Sequence, residues 1–147
     1  IGARRRLGTL LRRSGRPAEA LRVLDVAMMY CRDSEAVENL MCLTLRANRG
    51  WALVDAGEAT QGLAETETAL ARLDAAYAGA SDERAQAHEA RAAALAALGR
   101  TADAVASQRQ AVALYQTVYG DAHFGTRAAR DRLDVLRTVS GPEADRP

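Results

Sequence analysis

Three glycines, Gly15, Gly57 and Gly99, stand 42 residues apart. A fixed period of this length constrains the fold more than any other feature, because it means one supersecondary unit is repeated. The surroundings repeat too. Leu11, Leu53 and Leu95 lie four residues before the glycines. Ala20, Gly62 and Ala104 lie five residues after them, each followed by an aliphatic residue, Leu21, Leu63 or Val105. Ala27, Ala69 and Ala111 recur twelve residues after the glycines.

The flanks carry a helical period. Leu21, Leu24, Met28 and Cys31 are spaced for one helix face, as are Leu63, Thr66, Leu70, Leu73 and Tyr77. Val105, Gln108, Val112 and Tyr115 continue the pattern with one polar lapse, and Leu40, Leu45 and Leu53 show it before a glycine. Each glycine therefore ends a first helix in the left-handed conformation that costs glycine no Cβ clash. Pro17 or Thr101 opens the second helix. Composition agrees: 48% of residues are hydrophobic but only 4% aromatic, a mixture of small and aliphatic residues suited to close-packed helices. Every basic residue is arginine, which fits a GC-rich, bacterial coding sequence.

The expected fold is all-α: a solenoid of about three antiparallel helix pairs with a capping helix. The expected repeats span about 2–32, 34–79 and 82–120, with the cap at 125–138, a helical domain over 1–138 and a disordered tail over 139–147. Asp33-Ser34 is expected to cap a helix near Glu35, and Ser81-Asp82 one near Glu83. The chain does not begin with Met, and we expect it to be part of a longer protein.

These words resemble the tetratricopeptide repeat. Leu7-Gly8, Leu11, Gly15, Ala20, Leu24 and Ala27 fall at that family's spacing. Gly50, Leu53, Gly57 and Ala69 do so again, as do Ala92, Leu95, Gly99, Ala104 and Ala111. Gly62, Thr66 and Gln108 depart from it. The usual repeat has about 34 residues, and a period about eight longer, with Gly120-Asp121-Ala122-His123, is similar to the kinesin-light-chain subtype of bacterial regulators.

The resemblance implies a non-catalytic module that binds a peptide or protein segment on a concave face lined by the first helix of each pair. It places Arg5, Arg6, Thr9, Arg12 and Arg13, then Asn48, Trp51, Val54 and Asp55, then Gln86 and Glu89 on that face, followed by a flat strip of Ala93, Ala96 and Ala97. Asn48 matches a position where relatives hold a peptide backbone. Trp51, the sole tryptophan, is an aromatic anchor of the kind that dominates interfaces. The family's two-carboxylate clamp is not reproduced, since Thr9, Gln86 and Ala90 do not supply its remaining members. A preference for an acidic or C-terminal carboxylate group near Arg5 and Arg12 remains.

Catalysis has little to stand on. His88 and His123 are far apart in sequence, no metal-ligand spacing occurs, and there is no Gly-rich phosphate loop or nucleophile elbow. No cofactor and no metal are expected, with His88 between helices and His123 bonding backbone in its turn. A net charge of +1, without aromatic interleaving, disfavours nucleic acid. No apolar run has the length of a membrane span. Cys31 and Cys42 read as reduced core thiols of a cytoplasmic protein. The charge is uneven: residues 1–50 carry ten arginines against five acids, and residues 51–110 five against nine. That polarity supports an alternative, self-association as a homo-oligomer, either a symmetric homodimer or an end-to-end stack.

Overall fold

A computed structural model describes residues 1–32 and 39–140. Among these residues the chain is helical, without strands: α1 (Gly2–Arg13), α2 (Pro17–Met29), α3 (Leu40–Asp55), α4 (Ala59–Ala76), α5 (Asp82–Ala97), α6 (Thr101–Tyr119) and α7 (Phe124–Ser140). Helix α7 runs two residues beyond the expected 138.

The three glycine turns share one construction. Gly15, Gly57 and Gly99 have φ of 74°, 89° and 74°. In each, the glycine N–H donates three residues back, to Arg12, Val54 or Ala96, at 3.0 Å. The next N–H, of Arg16, Glu58 or Arg100, donates five residues back to Leu11, Leu53 or Leu95 at 2.8–2.9 Å. These bonds satisfy carbonyls that a helix end leaves open, and they reverse the chain tightly enough for α1–α2, α3–α4 and α5–α6 to pack as pairs.

The breaks between pairs are capped by side chains. Ser81 Oγ accepts from the Arg84 N–H at 3.2 Å at the start of α5. The expected cap at Asp33-Ser34, with a helix near Glu35, lies outside the described residues; α3 is capped by Asn39, whose Oδ1 accepts from the Met41 N–H at 2.8 Å. Before α7, His123 Nδ1 accepts from the Gly125 N–H at 3.1 Å, a turn-stabilising role.

Pairs stack through α2–α3, α4–α5 and α6–α7, and α1, α3 and α5 neighbour one another along an inner side, the arrangement of an α-solenoid. The core accordingly runs along the stack. Leu24 and Ala20 pack with Leu45 and Ala52, Leu70 and Leu73 with Leu43 and Ala87, and Val112 and Tyr115 with Ala129 and Leu133. A fully buried leucine such as Leu24, Leu73 or Leu95 contributes about 1.5–3 kcal/mol.

The departures from the repeat pattern have packing reasons. A Cβ on Gly62 would lie 2.6 Å from the Gly50 carbonyl oxygen, so α3 and α4 cross backbone to backbone. Thr66, fully buried, puts its methyl where a Cβ on Gly50 would stand, and its hydroxyl donates to the Leu63 carbonyl at 2.9 Å. Val54, expected on the concave face, instead packs toward Gly62 and Leu63, because the missing side chain of Gly62 leaves room for it.

The expectation of reduced thiols is corrected. Cys31 and Cys42 form a disulfide, with Cα atoms 5.7 Å apart. The end of α2 and the start of α3 meet in the first core, where both cysteines are buried beside Leu24 and Leu45.

Part of the charge asymmetry is spent inside the chain. Arg49 pairs with Asp25 at 2.6 Å and with Glu65 at 3.3 Å, joining α3 to α2 and α4. Arg84 pairs with Asp74 at 2.5 Å, and Arg91 with Glu67 at 3.2 Å, joining α5 to α4.

Candidate functional site

The inner helices enclose a groove of about 660 Å³. One wall is α1, with Arg5, Arg6, Thr9, Leu10, Arg12 and Arg13; the floor is Asn48 and Trp51 of α3 and Gln86 and Glu89 of α5. The opposite wall comes from the end of α6 and from α7: Tyr115, Tyr119, His123, Phe124, Gly125, Ala128 and Arg132. Of the residues named from sequence, Arg5, Arg6, Thr9, Arg12, Arg13, Asn48, Trp51, Gln86 and Glu89 line this groove, whereas Val54, Asp55, Ala93, Ala96 and Ala97 do not. Asp55 acts on it indirectly, through a 3.0 Å ion pair with Arg12.

Two guanidinium groups approach the ring of Trp51. Arg12 sits 3.9 Å from the ring centroid and Arg132 5.8 Å from it. The closer contact is a cation–π stack that favours Arg12 over the indole, and Arg132 is at the outer reach of the same attraction. Burial pulls the Arg12 guanidinium below the ordinary arginine value, opposed by the hydrogen bond and charge of Asp55.

Glu89 is almost fully buried and its carboxylate is occupied. Oε1 accepts from Arg132 at 2.5 Å and from Gln108 at 3.3 Å, and Oε2 from the Tyr115 hydroxyl at 3.2 Å. Burial first, then the Glu89 charge and hydrogen bond, push the Tyr115 phenol upward, so it stays a donor. Gln108, the polar lapse in the sequence pattern, is 2% exposed and also donates to the Ala129 carbonyl at 2.9 Å. It thereby fastens α6 to both α5 and α7.

Among the described residues, two buried donors at this site have nothing to donate to. Asn48 is 8% exposed, and its Nδ2 has no hydrogen-bond partner among the described residues; neither has the buried Nε of Arg5. Thr9 donates to the Arg5 carbonyl at 3.1 Å, and Gln86 to Asp82 at 3.4 Å. Five arginines line the groove against two carboxylates, Asp82 and Glu89, so its field is positive.

An aromatic edge completes the far wall. Tyr119 stacks on His123 with centroids 4.2 Å apart, and His123 on Phe124 at 4.5 Å. Phe124 is 71% exposed. Sequence reading missed this wall, because second-helix residues are expected on the outside. Arg132 had a signal: it stands 84 residues, two periods, after Asn48.

His88 lies between α5 and α6, with Nδ1 3.4 Å from Ser107 Oγ, which itself donates to the His88 carbonyl at 2.9 Å. No group of three or more His, Cys, Asp and Glu side chains able to hold a metal occurs among the described residues.

Residues 89–125 match the family model described as tetratricopeptide repeat, spanning the second half of α5, the Gly99 turn, all of α6 and the turn into α7. Over this stretch the chain carries a tetratricopeptide-type repeat. The two preceding glycine turns of this repeat protein carry the same bonds as the matched one. The tetratricopeptide repeat is in general a non-catalytic protein–protein interaction fold. No curated protein matches the chain. No helix among the described residues is long and apolar enough to cross a membrane.

Proposed function

We propose that this repeat protein is a non-catalytic recognition module that binds a peptide or protein segment in the inner groove. The segment carries an acidic side chain or a C-terminal carboxylate. The observation that carries this reading is the unpartnered Asn48 amide beneath an arginine wall. A buried donor left unsatisfied costs about 1–3 kcal/mol, which an incoming carbonyl or carboxylate would recover. Glu89, already holding Arg132, acts by positioning that arginine. The setting we propose is a larger bacterial regulatory or sensor protein with repeats of the kinesin-light-chain subtype.

Selection from a random-peptide phage library tests it. Wild type should enrich clones with Asp, Glu or a free carboxylate. Arg12→Glu and Asn48→Ala, checked for helicity by circular dichroism, should lose those clones. Equal binding of the same clones by Arg12→Glu would overturn the reading.

Self-association is a second reading, supported by apolar exposure at the end of α2 and just beyond it, where Val26, Met29 and Tyr30 are 43%, 60% and 56% exposed. Light scattering over a concentration series decides it, and a monomer throughout removes it. A cytoplasmic location also remains a proposal. Reducing cytoplasm opens most disulfides, so thiol labelling of Cys31 and Cys42 in intact cells is its test.

A further inference from the structure

Helix α1 repeats the packing face of helix α7. Ala3-Arg4-Arg5-Arg6-Leu7-Gly8-Thr9-Leu10 and Ala129-Arg130-Asp131-Arg132-Leu133-Asp134-Val135-Leu136 stand 126 residues, three periods, apart and agree at five of eight positions. Ala3, Arg4, Arg6, Leu7 and Leu10 are the five that match. The others have separate duties in α1: Arg5 and Thr9 line the groove, and Gly8 lies against Leu24 of α2.

In α7 this face is covered. Ala129 and Leu133 are buried against Val112 and Tyr115 of α6, and Leu136 joins them. Arg130 pairs with Asp121 in the turn before α7, and Arg132 with Glu89 of α5. In α1 the same face is open: Ala3 is exposed, and Leu7 and Leu10 are 46% and 64% exposed.

The helices between show which surface such a face fits. At the register of Leu7, α3 and α5 carry Arg49 and Arg91, each paired with an acid of the preceding second helix, Asp25 or Glu67. One period on, α6 has Arg109 in place of that acid, and α7 answers with Leu133 rather than a third arginine. Leu7 makes the same choice. The α1 face therefore suits α6 and not α2 or α4, whose acids it would leave without a cation.

We propose that α7 is a built-in competitor of end-to-end assembly: α1 of a second copy docks on the α5–α6 surface once α7 leaves it. Leu7 and Leu10 then take the places of Leu133 and Leu136. Arg4 and Arg6 meet Asp121 and Glu89, so a helix with five arginines and no acid gains the two carboxylates that α7 gives up. The contact is head-to-tail, using a different surface of each copy. Within one chain α7 is tethered by a short turn and competes at an effective concentration on the order of millimolar, which keeps the intact protein closed at lower concentrations. The proposal requires neither a groove ligand nor association of the intact protein with itself.

The test mixes two forms of the full chain at micromolar concentration. The acceptor is Leu7→Asp/Leu133→Asp: an unpaired charge in the α6–α7 core loosens its cap, and its own α1 face is spoiled. The donor is wild type, which keeps its cap, so the complex ends at two chains. Light scattering on a sizing column, with each form also run alone, should show a doubled mass only in the mixture. With Leu7→Asp as donor the complex should be lost, and with Arg6→Glu, set against Glu89, it should weaken about tenfold or more. Circular dichroism checks the acceptor. If Leu133→Asp unfolds it, Leu7→Asp/Arg132→Glu replaces it, since the Arg132 side chain is 41% exposed and its loss spares the core. No complex with a folded acceptor overturns the proposal, as does a complex that Leu7→Asp forms as well as wild type.

Discussion

A Cβ added to Gly62 would stand 2.6 Å from the carbonyl oxygen of Gly50, a backbone atom that cannot swing aside. Gly62→Ala therefore forces α3 and α4 apart. We expect a loss of about 1–3 kcal/mol, the usual cost of overpacking, measured by urea denaturation followed by circular dichroism. Gly79→Ala is the control: nothing lies within 4 Å of that position and its φ is not positive, so its midpoint should stay near wild type.

Gly57 and Gly99 separate conformation from space. No atom lies within 4 Å of a Cβ at either position, yet both have positive φ. Alanine there should cost about 1–2 kcal/mol through the left-handed backbone alone. Asparagine, which tolerates that region better, should recover part of the loss. At Gly62 the order should reverse, because asparagine is larger. Comparing the two substitutions at both positions in urea checks the distinction.

The period was legible because it rests on backbone demands that only certain residues meet. Gly15, Gly57 and Gly99 all close turns of one geometry, and Ala20, Ala27, Ala69, Ala104 and Ala111 are all fully buried where helices approach. The first-helix residues of the groove were legible for the same reason, since the register fixes which way each one faces. What the register cannot show is chemistry between distant elements. Gln108 looked like a defect until Glu89 and the Ala129 carbonyl stood beside it. The Cys31–Cys42 bond depends on how α2 and α3 meet, which no local spacing encodes. Tyr115, Tyr119 and Phe124 reach the groove only because α6, at 19 residues, carries its end and the following turn to the groove's edge.

Glu89 is the junction of three elements, and its removal has a definite signature. Glu89→Ala leaves the Tyr115 hydroxyl without its acceptor and Gln108 with one fewer. Unmet buried donors cost about 1–3 kcal/mol, so stability should fall by that order. Arg132, 41% exposed, can turn to water and should itself be replaceable at less cost. Thermal melts of Glu89→Ala and Arg132→Ala rank the two, and an equal or larger loss for Arg132→Ala would contradict this account.

The disulfide closes a short loop, with a sequence separation of 11. Chain-entropy arguments put such a cross-link at about 2–3 kcal/mol. Reduction should lower the urea midpoint accordingly, and the double variant Cys31→Ala/Cys42→Ala should match the reduced wild type to within the small packing loss of two sulfur atoms. An alkylation mass shift before and after reduction checks that the bond is present. No change in the midpoint on reduction would show that the α2–α3 contact stands without it.

Acid should unfold the protein in two stages, and His88 sets the first. Burial lowers its affinity for a proton below the ordinary histidine value of 6.5; Asp74 opposes this, while Arg84 and Arg91 add to it. The unfolded chain therefore binds the proton more readily than the folded one, so stability falls as pH drops below about 6.5 and the loss is complete below the folded value. Asp121 and Glu19 act in the same direction at lower pH. Hydrogen bonds from Gln116 and Arg130 hold Asp121 below its ordinary value, and the Arg16 hydrogen bond does so for Glu19. What they contribute is present above the ordinary carboxylate range and is lost as pH falls through their folded values. Urea midpoints from about pH 7 to about pH 5, the range in which histidine titrates, isolate the first stage. His88→Gln, which keeps a polar group near Ser107, should flatten the slope in that window and leave the loss at lower pH in place. A slope unchanged by the substitution would assign the first stage to another group.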